Sequence, residues 1–367
     1  MKIHVPKHIE SLIPYKPGKP IADLISEHGV DEVAKLASNE NPLGASPLAI
    51  AAAIESMKDA AYYPNSGRSI REVLAKRYGL SVDEVIAGSG SEGVMNTVMR
   101  TFLVEGDEVL TSEGTFGGFY VLAHAMGLNL RLVPMKDYAY DLDRIAESLT
   151  PQTRLIYLAN PNNPTGSYFN KQKLVEFLTR VPNCVLVMYD EAYYDFAIND
   201  VPDFPSLLTS HIPNVVTLRT FSKSHGLAGL RIGFGVASQE VIQLMLKVKL
   251  PFEPSGPAQA AGIAALDDDK FLQQTIEVNR EGKSQWRAAL SELGLKFVET
   301  AANFYCVILD SATEADRILH GMERAGIIVR PLAGFGLPNA IRISIGTSQQ
   351  NARAIEVLNT VMETANS

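Results

Sequence analysis

The 367-residue chain is poor in cysteine, in dense tracts of positive charge and in long apolar runs, and each shortage removes a class of protein. Its two cysteines, Cys184 in CVLVMY and Cys306 in YCVIL, sit in apolar strand-like runs. There they read as small buried hydrophobes, supplying neither a disulfide framework nor a metal site. No dense Lys/Arg tract exists and the net charge is -8, which argues against nucleic acid as a partner, because a phosphate backbone needs clustered positive charge. No segment offers the roughly 18 consecutive apolar residues of a membrane-spanning helix. The start, MKIHVPKHIESLIPYKPGKP, is broken by charges and prolines before an apolar core of signal-peptide length develops, so a cytoplasmic location is expected. Internal repeats and low-complexity tracts are also lacking.

What is present is ordinary globular composition, with 46% hydrophobic and 20% charged residues, enough to fill a large domain and a smaller one. Pro6, Pro14, Pro17 and Pro20 with Gly18 predict an extended N-terminal arm over residues 1–35. Alanine-rich residues 45–60 predict a helix, Tyr62-Tyr63-Pro64-Asn65-Ser66-Gly67 breaks it, and residues 69–78 predict the next. Beyond that, short β-rich runs alternate with helical stretches, the pattern of an α/β fold whose mainly parallel sheet is covered by helices on both faces. Seven candidate strands fall at 85–87, 108–111, 130–133, 155–159, 185–189, 215–219 and 233–237. Pro251, Pro254 and Pro257 follow a helical stretch over 239–249 and set the expected boundary of the large domain (36–255) near residue 255. A smaller C-terminal α/β domain (256–367) should follow, with helices over 271–293 and 314–326 and strands over 304–309 and 340–345.

In open α/β sheets ligands bind outside the carboxyl ends of the strands, so the residues after those ends carry the most information. After strand 215–219 comes Thr220-Phe221-Ser222-Lys223-Ser224-His225-Gly226-Leu227-Ala228-Gly229-Leu230-Arg231. One lysine lies between hydroxyls, with an arginine eight positions on. The lysine can form an imine with an aldehyde while Thr220, Ser222 and Arg231 carry a phosphate, a set that points to pyridoxal 5'-phosphate (PLP). A lone Lys223 would read as a solvated surface lysine; its surroundings reverse that reading.

Two other strand ends supply complementary groups. Asp190 can pair with the pyridine nitrogen, and Asn163 and Tyr193 can donate to the ring phenolate oxygen. Taken alone, NPNNPTG is a turn and an Asp after a strand is a helix cap. Gly88-Ser89-Gly90-Ser91-Glu92-Gly93 joins a strand to a helix, where Ser91 and Glu92 offer backbone N–H groups to an anion. The turn lacks the G-x-G-x-x-G spacing of a dinucleotide site. Phe116 is a candidate to stack on the ring, or else a core aromatic.

On these segments the chain resembles the PLP-dependent aminotransferases of fold type I, most closely the histidinol-phosphate aminotransferases. The resemblance runs through YKPGKP, KLASNENPLG, YYPNSG, NPNNPTG, DEAY, TFSKSHGLAGLRIGFG and IIVRPLAGFGLPNAIRISIGT. It implies that Lys223 bonds the cofactor and that Asp190 pairs with its ring nitrogen. It gives Asn163 and Tyr193 to the phenolate oxygen, Thr220, Ser222, Arg231, Ser91 and Glu92 to the phosphate, and Phe116 to the stacking position. Tyr63 becomes a phosphate contact from the other subunit, which implies a homodimer with shared sites. Gly93 stands where the family often has a second acidic residue. His225 follows Ser224 where relatives commonly have small or aromatic residues, and reads as a local structural histidine.

Arg342, a guanidinium amid the apolar alternation of residues 340–344, suggests a grip on a substrate carboxylate, and the family assigns it that task. Arg330 and Tyr15, the latter from the partner's arm, are candidates for the substrate phosphate, against surface arginine and packed aromatic. The implied reaction moves an amino group between glutamate and imidazole-acetol phosphate, giving histidinol phosphate in histidine biosynthesis, with ping-pong kinetics. Aromatic amino acid transamination is the nearest competitor, a threonine-phosphate-type decarboxylase a different class, and a non-catalytic PLP sensor a third.

Overall fold

A computed structural model describes residues 3–14 and 18–363. In chain order its strands are β1 (Ala34–Lys35), β2 (Val85–Ser89), β3 (Glu108–Ser112), β4 (Asn129–Val133), β5 (Thr153–Ala159), β6 (Leu186–Asp190) and β7 (Val215–Thr220). Then follow β8 (Ile232–Val236), β9 (Lys296–Val298), β10 (Phe304–Ile308), β11 (Ile327–Ile328), β12 (Arg330–Pro331) and β13 (Ala340–Ser344). Seven of them form one sheet in the order β2-β8-β7-β6-β5-β3-β4. These are the seven runs picked out by β-propensity, with ends displaced by a residue or two. Adjacent strands from β7 to β4 are parallel, whereas β8 runs antiparallel to both β2 and β7. The chain therefore folds back from β7 into β8 without a helical crossover, so the lysine segment is a loop between two neighbouring strands.

The N-terminal segment is not extended throughout. It contains α1 (Lys7–Glu10) and α2 (Ile21–His28), each entered directly from a proline, Pro6 and Pro20. A fixed φ near that of a helix, at a position whose N–H has no helical partner, makes proline a helix starter here. Leu24 of α2 packs against Ala37 and Ile328. The alanine-rich stretch forms α3 (Pro47–Ser56), whose Ser46 cap accepts from the Ala49 N–H, and then a single 3-10 turn over Met57–Asp59. Next come α4 (Arg68–Tyr78), α5 (Gly90–Phe102) and α6 (Gly117–Ala125).

Side chains of the central strands alternate between two buried faces. Tyr157, Met188, Val216 and Leu218 pack with Val94, Met95 and Val98 of α5, while Ile156, Leu158, Val187 and Tyr189 pack with Leu174 and Phe177 of helix Lys171–Arg180. Each fully buried aliphatic side chain contributes roughly 1.5–3 kcal/mol, so strand ends anchored in this core are rigid mounts.

The chain continues through Pro257 as a helix. That proline sits in the first turn of helix Gly256–Leu266, capped by Ser255, and Ala258, Ala261 and Ala265 pack with Ala49, Ile70 and Phe234. The chain crosses to a second, antiparallel sheet, ordered β12-β13-β10-β9, along the helix Asp269–Glu292. That sheet's core gathers Trp286, Leu290, Val307, Ile318, Ile341 and Ile343 with Ala34 and Leu36 from the N-terminal segment. Among the described residues no helix is long and apolar enough to cross a membrane.

Candidate active site

A cavity of about 190 Å³ opens at the carboxyl ends of β5, β6 and β7. Ser91, Glu92, Phe116, Asn163, Asp190, Tyr193, Thr220, Ser222, Lys223 and Arg231 all line it, together with Tyr157. Residues far apart in the chain thus converge because three parallel strands end side by side, Ala159 standing opposite Asp190 in register.

The lysine is enclosed. Burial, reinforced by the Arg342 and Arg231 charges and opposed by Glu40 and Asp190, lowers its pKa to about 8. Nζ donates to the Ser38 carbonyl at 3.3 Å. Asp190 is buried, and burial pushes its carboxyl up to about 6 against the pull of two donors. Those donors are the Tyr157 hydroxyl at 2.8 Å on Oδ2 and the Ala192 N–H at 3.0 Å on Oδ1.

On the anion side, α5 starts directly after β2, with Gly90 at φ 76° and Ser91 in its first turn. A Cβ on Gly233 of β8 would collide with the Ser91 backbone nitrogen, so only glycine there lets the helix N-terminus lie against the sheet. Arg231 reaches the same place from a left-handed backbone, φ 52°, with Nη2 at 3.7 Å from Glu92 Oε2. Holding a side-chain-bearing residue in that region costs on the order of 1 kcal/mol, a strain that commonly marks a functional position. Thr220 Oγ1 donates to Ser222 Oγ at 3.0 Å and accepts from the Ser222 N–H at 3.1 Å. Phe116 caps α6; a Cβ on Gly118 would strike its ring, so the glycine makes room for that ring to fold back.

The donor set therefore asks for a molecule with an anionic end, a group that a lysine amine can capture, and a cationic site for a buried carboxylate that is costly to ionise alone. PLP has each of these. The residues present fit the group without remainder.

Other expected residues lie elsewhere. Arg342 is buried behind Asn163, donating from Nη1 to Asn163 Oδ1 and from Nη2 to the Ala37 carbonyl at 2.7 Å, with its guanidinium over the Phe304 ring. Arg330 stands across the ladder from Arg342 but lines a second cavity, of about 700 Å³, with Lys19, Tyr120 and Phe335. Tyr63 is exposed, stacked on Phe252 at 4.2 Å, and lines a separate cleft with Ser89 and Glu253, so it does not reach the cavity of its own chain. Tyr15 lies outside the described residues. His225 is buried with Nε2 at 4.0 Å from Asp195 and does not line the cavity. Burial lowers its pKa, against the pull of Asp195.

Two contributors escape a reading of motifs. Tyr157 is on β5 with its hydroxyl on Asp190; the available signal was its i, i+2 relation to Ala159 at the strand end. Asn39, in the SNEN run, donates from Nδ2 to the Tyr193 hydroxyl at 2.9 Å, a contact no spacing rule supplies.

A sheet of this order with a lysine between adjacent strands and a buried carboxylate at the neighbouring strand end is the arrangement of a PLP-dependent enzyme. The chain belongs to the class I and II aminotransferase family, whose model matches residues 31–358. It is 41% identical over 362 residues to a histidinol-phosphate aminotransferase of an Anaeromyxobacter species, covering 98% of this chain and 99% of that one. A histidinol-phosphate aminotransferase of Nitrosococcus oceani is 39% identical over 97% of this chain and 96% of its own length. Among solved structures, the histidinol-phosphate aminotransferase of Sinorhizobium meliloti in complex with pyridoxal-5'-phosphate superposes with a TM-score of 0.90 at 28% identity. That match covers 100% of this chain and 99% of the other. The aspartate aminotransferase of Thermus thermophilus with maleate shares the fold, with a TM-score of 0.84 at 21% identity over 98% of this chain and 100% of that one.

Proposed function

We propose that the chain is a PLP-dependent aminotransferase that moves an amino group between glutamate and imidazole-acetol phosphate, giving histidinol phosphate and 2-oxoglutarate in histidine biosynthesis. The observation that carries the chemistry is the single cavity in which Lys223, with its lowered pKa, meets Asp190 and an anion cradle. The substrate assignment draws on full-length relatives carrying that name.

When bound, PLP supplies an aldehyde for amine capture and a ring that withdraws electrons from the substrate carbon. Lys223 Nζ, with its pKa lowered to about 8 so that part of it is free amine near neutral pH, would hold the cofactor aldehyde and serve as the base for the substrate Cα proton. Asp190, steadied by Tyr157 and the Ala192 N–H, would pair with the ring nitrogen and favour its charged form. Asn163 and Tyr193 orient the ring through its oxygen. Thr220, Ser222, Arg231 and the N–H groups of Ser91 and Glu92 hold the phosphate, and Phe116 excludes water from one face. Arg342 pairs with the donor carboxylate, and Arg330, across the ladder, supplies a second cation for the substrate phosphate.

The same proposal includes a homodimer. Leu48, Ile54, Met57, Tyr62, Tyr63 and Phe252 are exposed apolar side chains on and after α3, a face that a second copy would cover, with Tyr63 then reaching the partner's phosphate site. A cytoplasmic location and the Tyr15 contact belong to this reading as well.

The test is a spectroscopic titration of the cofactor-loaded protein with histidinol phosphate, glutamate, phenylalanine and threonine phosphate. Conversion to the pyridoxamine form by histidinol phosphate and glutamate is expected. Conversion by phenylalanine and not histidinol phosphate would move the enzyme to aromatic amino acids. Release of CO2 from threonine phosphate, with the cofactor kept as aldehyde, would make it a decarboxylase.

A further inference from the structure

Three consecutive residues ahead of α3 each hold a different group of the site. The Ala37 carbonyl accepts from Arg342 Nη2 at 2.7 Å, the Ser38 carbonyl from Lys223 Nζ at 3.3 Å, and Asn39 Nδ2 donates to the Tyr193 hydroxyl at 2.9 Å. The third contact differs from the others because it is made by a side chain whose orientation is itself fixed. Ser344 Oγ accepts from the Asn39 backbone N–H at 2.9 Å and donates to Asn39 Oδ1 at 2.8 Å. With Oδ1 engaged as acceptor, the NH2 end of the amide must face Tyr193. The Asn39 carbonyl accepts from Asn303 Nδ2 at 3.2 Å.

Asn39 is 1% exposed and sits at φ 55°, a left-handed conformation that asparagine tolerates better than most residues with a side chain. Buried, and closed into a ring of hydrogen bonds with β13, it is a fixed point between the two sheets. The Tyr193 oxygen accepts a hydrogen bond from it, so the Tyr193 O–H is directed away from Asn39, and Tyr193 lines the cavity.

We propose that Asn39 is a positioning residue for Tyr193: its amide turns the Tyr193 hydroxyl toward the ring oxygen of the cofactor and, through Ser344, ties that orientation to the strand that carries Arg342. The proposal rests on the cofactor reading above. Asn39 acts on the chemistry only through Tyr193. Donation from Tyr193 favours the deprotonated state of the bound chromophore, so weakening it raises the pH at which the visible absorption changes.

The experiment is a pH titration of the visible absorption of the cofactor-loaded protein for the unaltered chain, Asn39→Gly, Tyr193→Phe and the double variant. Glycine keeps the left-handed backbone and removes the amide. Tyr193→Phe should raise the midpoint by about one pH unit. Asn39→Gly should raise it by roughly half as much, with cofactor binding weakened about 3- to 10-fold. The double variant should match Tyr193→Phe alone, because an effect transmitted through a missing hydroxyl disappears. An unmoved midpoint in Asn39→Gly, or a shift that adds in full to that of Tyr193→Phe, overturns the proposal. Ser344→Ala, which frees the amide from the other side, should move the midpoint the same way and decides the matter if Asn39→Gly does not fold; an unmoved midpoint there counts against the role. Absence of a titrating absorption in the unaltered protein overturns the cofactor reading and this proposal together. A normal titration with an unmoved Asn39→Gly removes the Asn39 role alone.

Discussion

Lys223 and Asp190 are displaced from their ordinary ionisation in opposite senses, and both displacements come first from burial. For the lysine, the free-amine fraction grows as pH rises through about 8 instead of the 10.5 of an exposed side chain. The rate at which cofactor-free protein captures PLP should therefore climb through pH 8 and level off above it, as followed by absorbance in a stopped-flow series; a midpoint near 10 would contradict the enclosed lysine. Asp190 binds its proton more tightly folded than unfolded, so its contribution to stability is fully present below the unfolded value of 3.8 and is lost as pH rises through about 6. Cofactor-free protein should lose on the order of 2–3 kcal/mol on this account between pH 4 and 7. Asp190→Asn should flatten that slope, as read from denaturant unfolding at the two pH values. In the proposed reading, bound cofactor would reverse the penalty by giving the carboxylate a cation.

At the scale of elements, the site depends on close approach between α5 and β8. Gly233→Ala would drive a methyl into the Ser91 N–H, where the obstacle is backbone and cannot swing aside. It should cost roughly 1–3 kcal/mol of stability and weaken phosphate binding more than carboxylate binding, which thermal unfolding and PLP titration measure together. The central strands and their terminal motifs were legible because each strand is a compact β-branched or aromatic run followed by Asn, Asp, Gly or hydroxyl residues, as at Asn160-Pro161-Asn162-Asn163 and Asp190-Glu191. The two-residue strands β1, β11 and β12 were not legible, since so short a pairing has no period to detect. Nor was the reversal of β8, because a strand buried on both faces reads alike in either direction. Prolines misled twice, at Pro6 and Pro20, where they begin helices in a segment expected to be extended. Asn39 stayed hidden because its significance lies in a partner 154 positions away.

For the whole molecule, the proposed sharing of sites between two copies makes a prediction that no single-chain property can imitate. Lys223→Ala removes the amine and should reduce transamination by about 10²- to 10⁴-fold or more; Tyr63→Ala should impair it through the partner's phosphate. Mixed, unfolded together and refolded, the two inactive proteins should recover about a quarter of the normal sites, because half of the dimers are hybrids and each hybrid has one site with both residues intact. Recovery is read as activity of the mixture against either variant alone, and no recovery would separate Tyr63 from the neighbouring site.

The fold-back from β7 to β8 has a further bearing on how this enzyme tolerates change. Lys223 and Arg231 both lie on the loop that joins these two strands, whose ends are pinned side by side where Thr220 meets Gly233. Their separation is accordingly a property of one short closed stretch of chain, independent of how distant helices pack. Sequence drift in the outer layers can loosen the scaffold without altering the distance between the Lys223 amine and the Arg231 guanidinium, so the two are inherited as a single part.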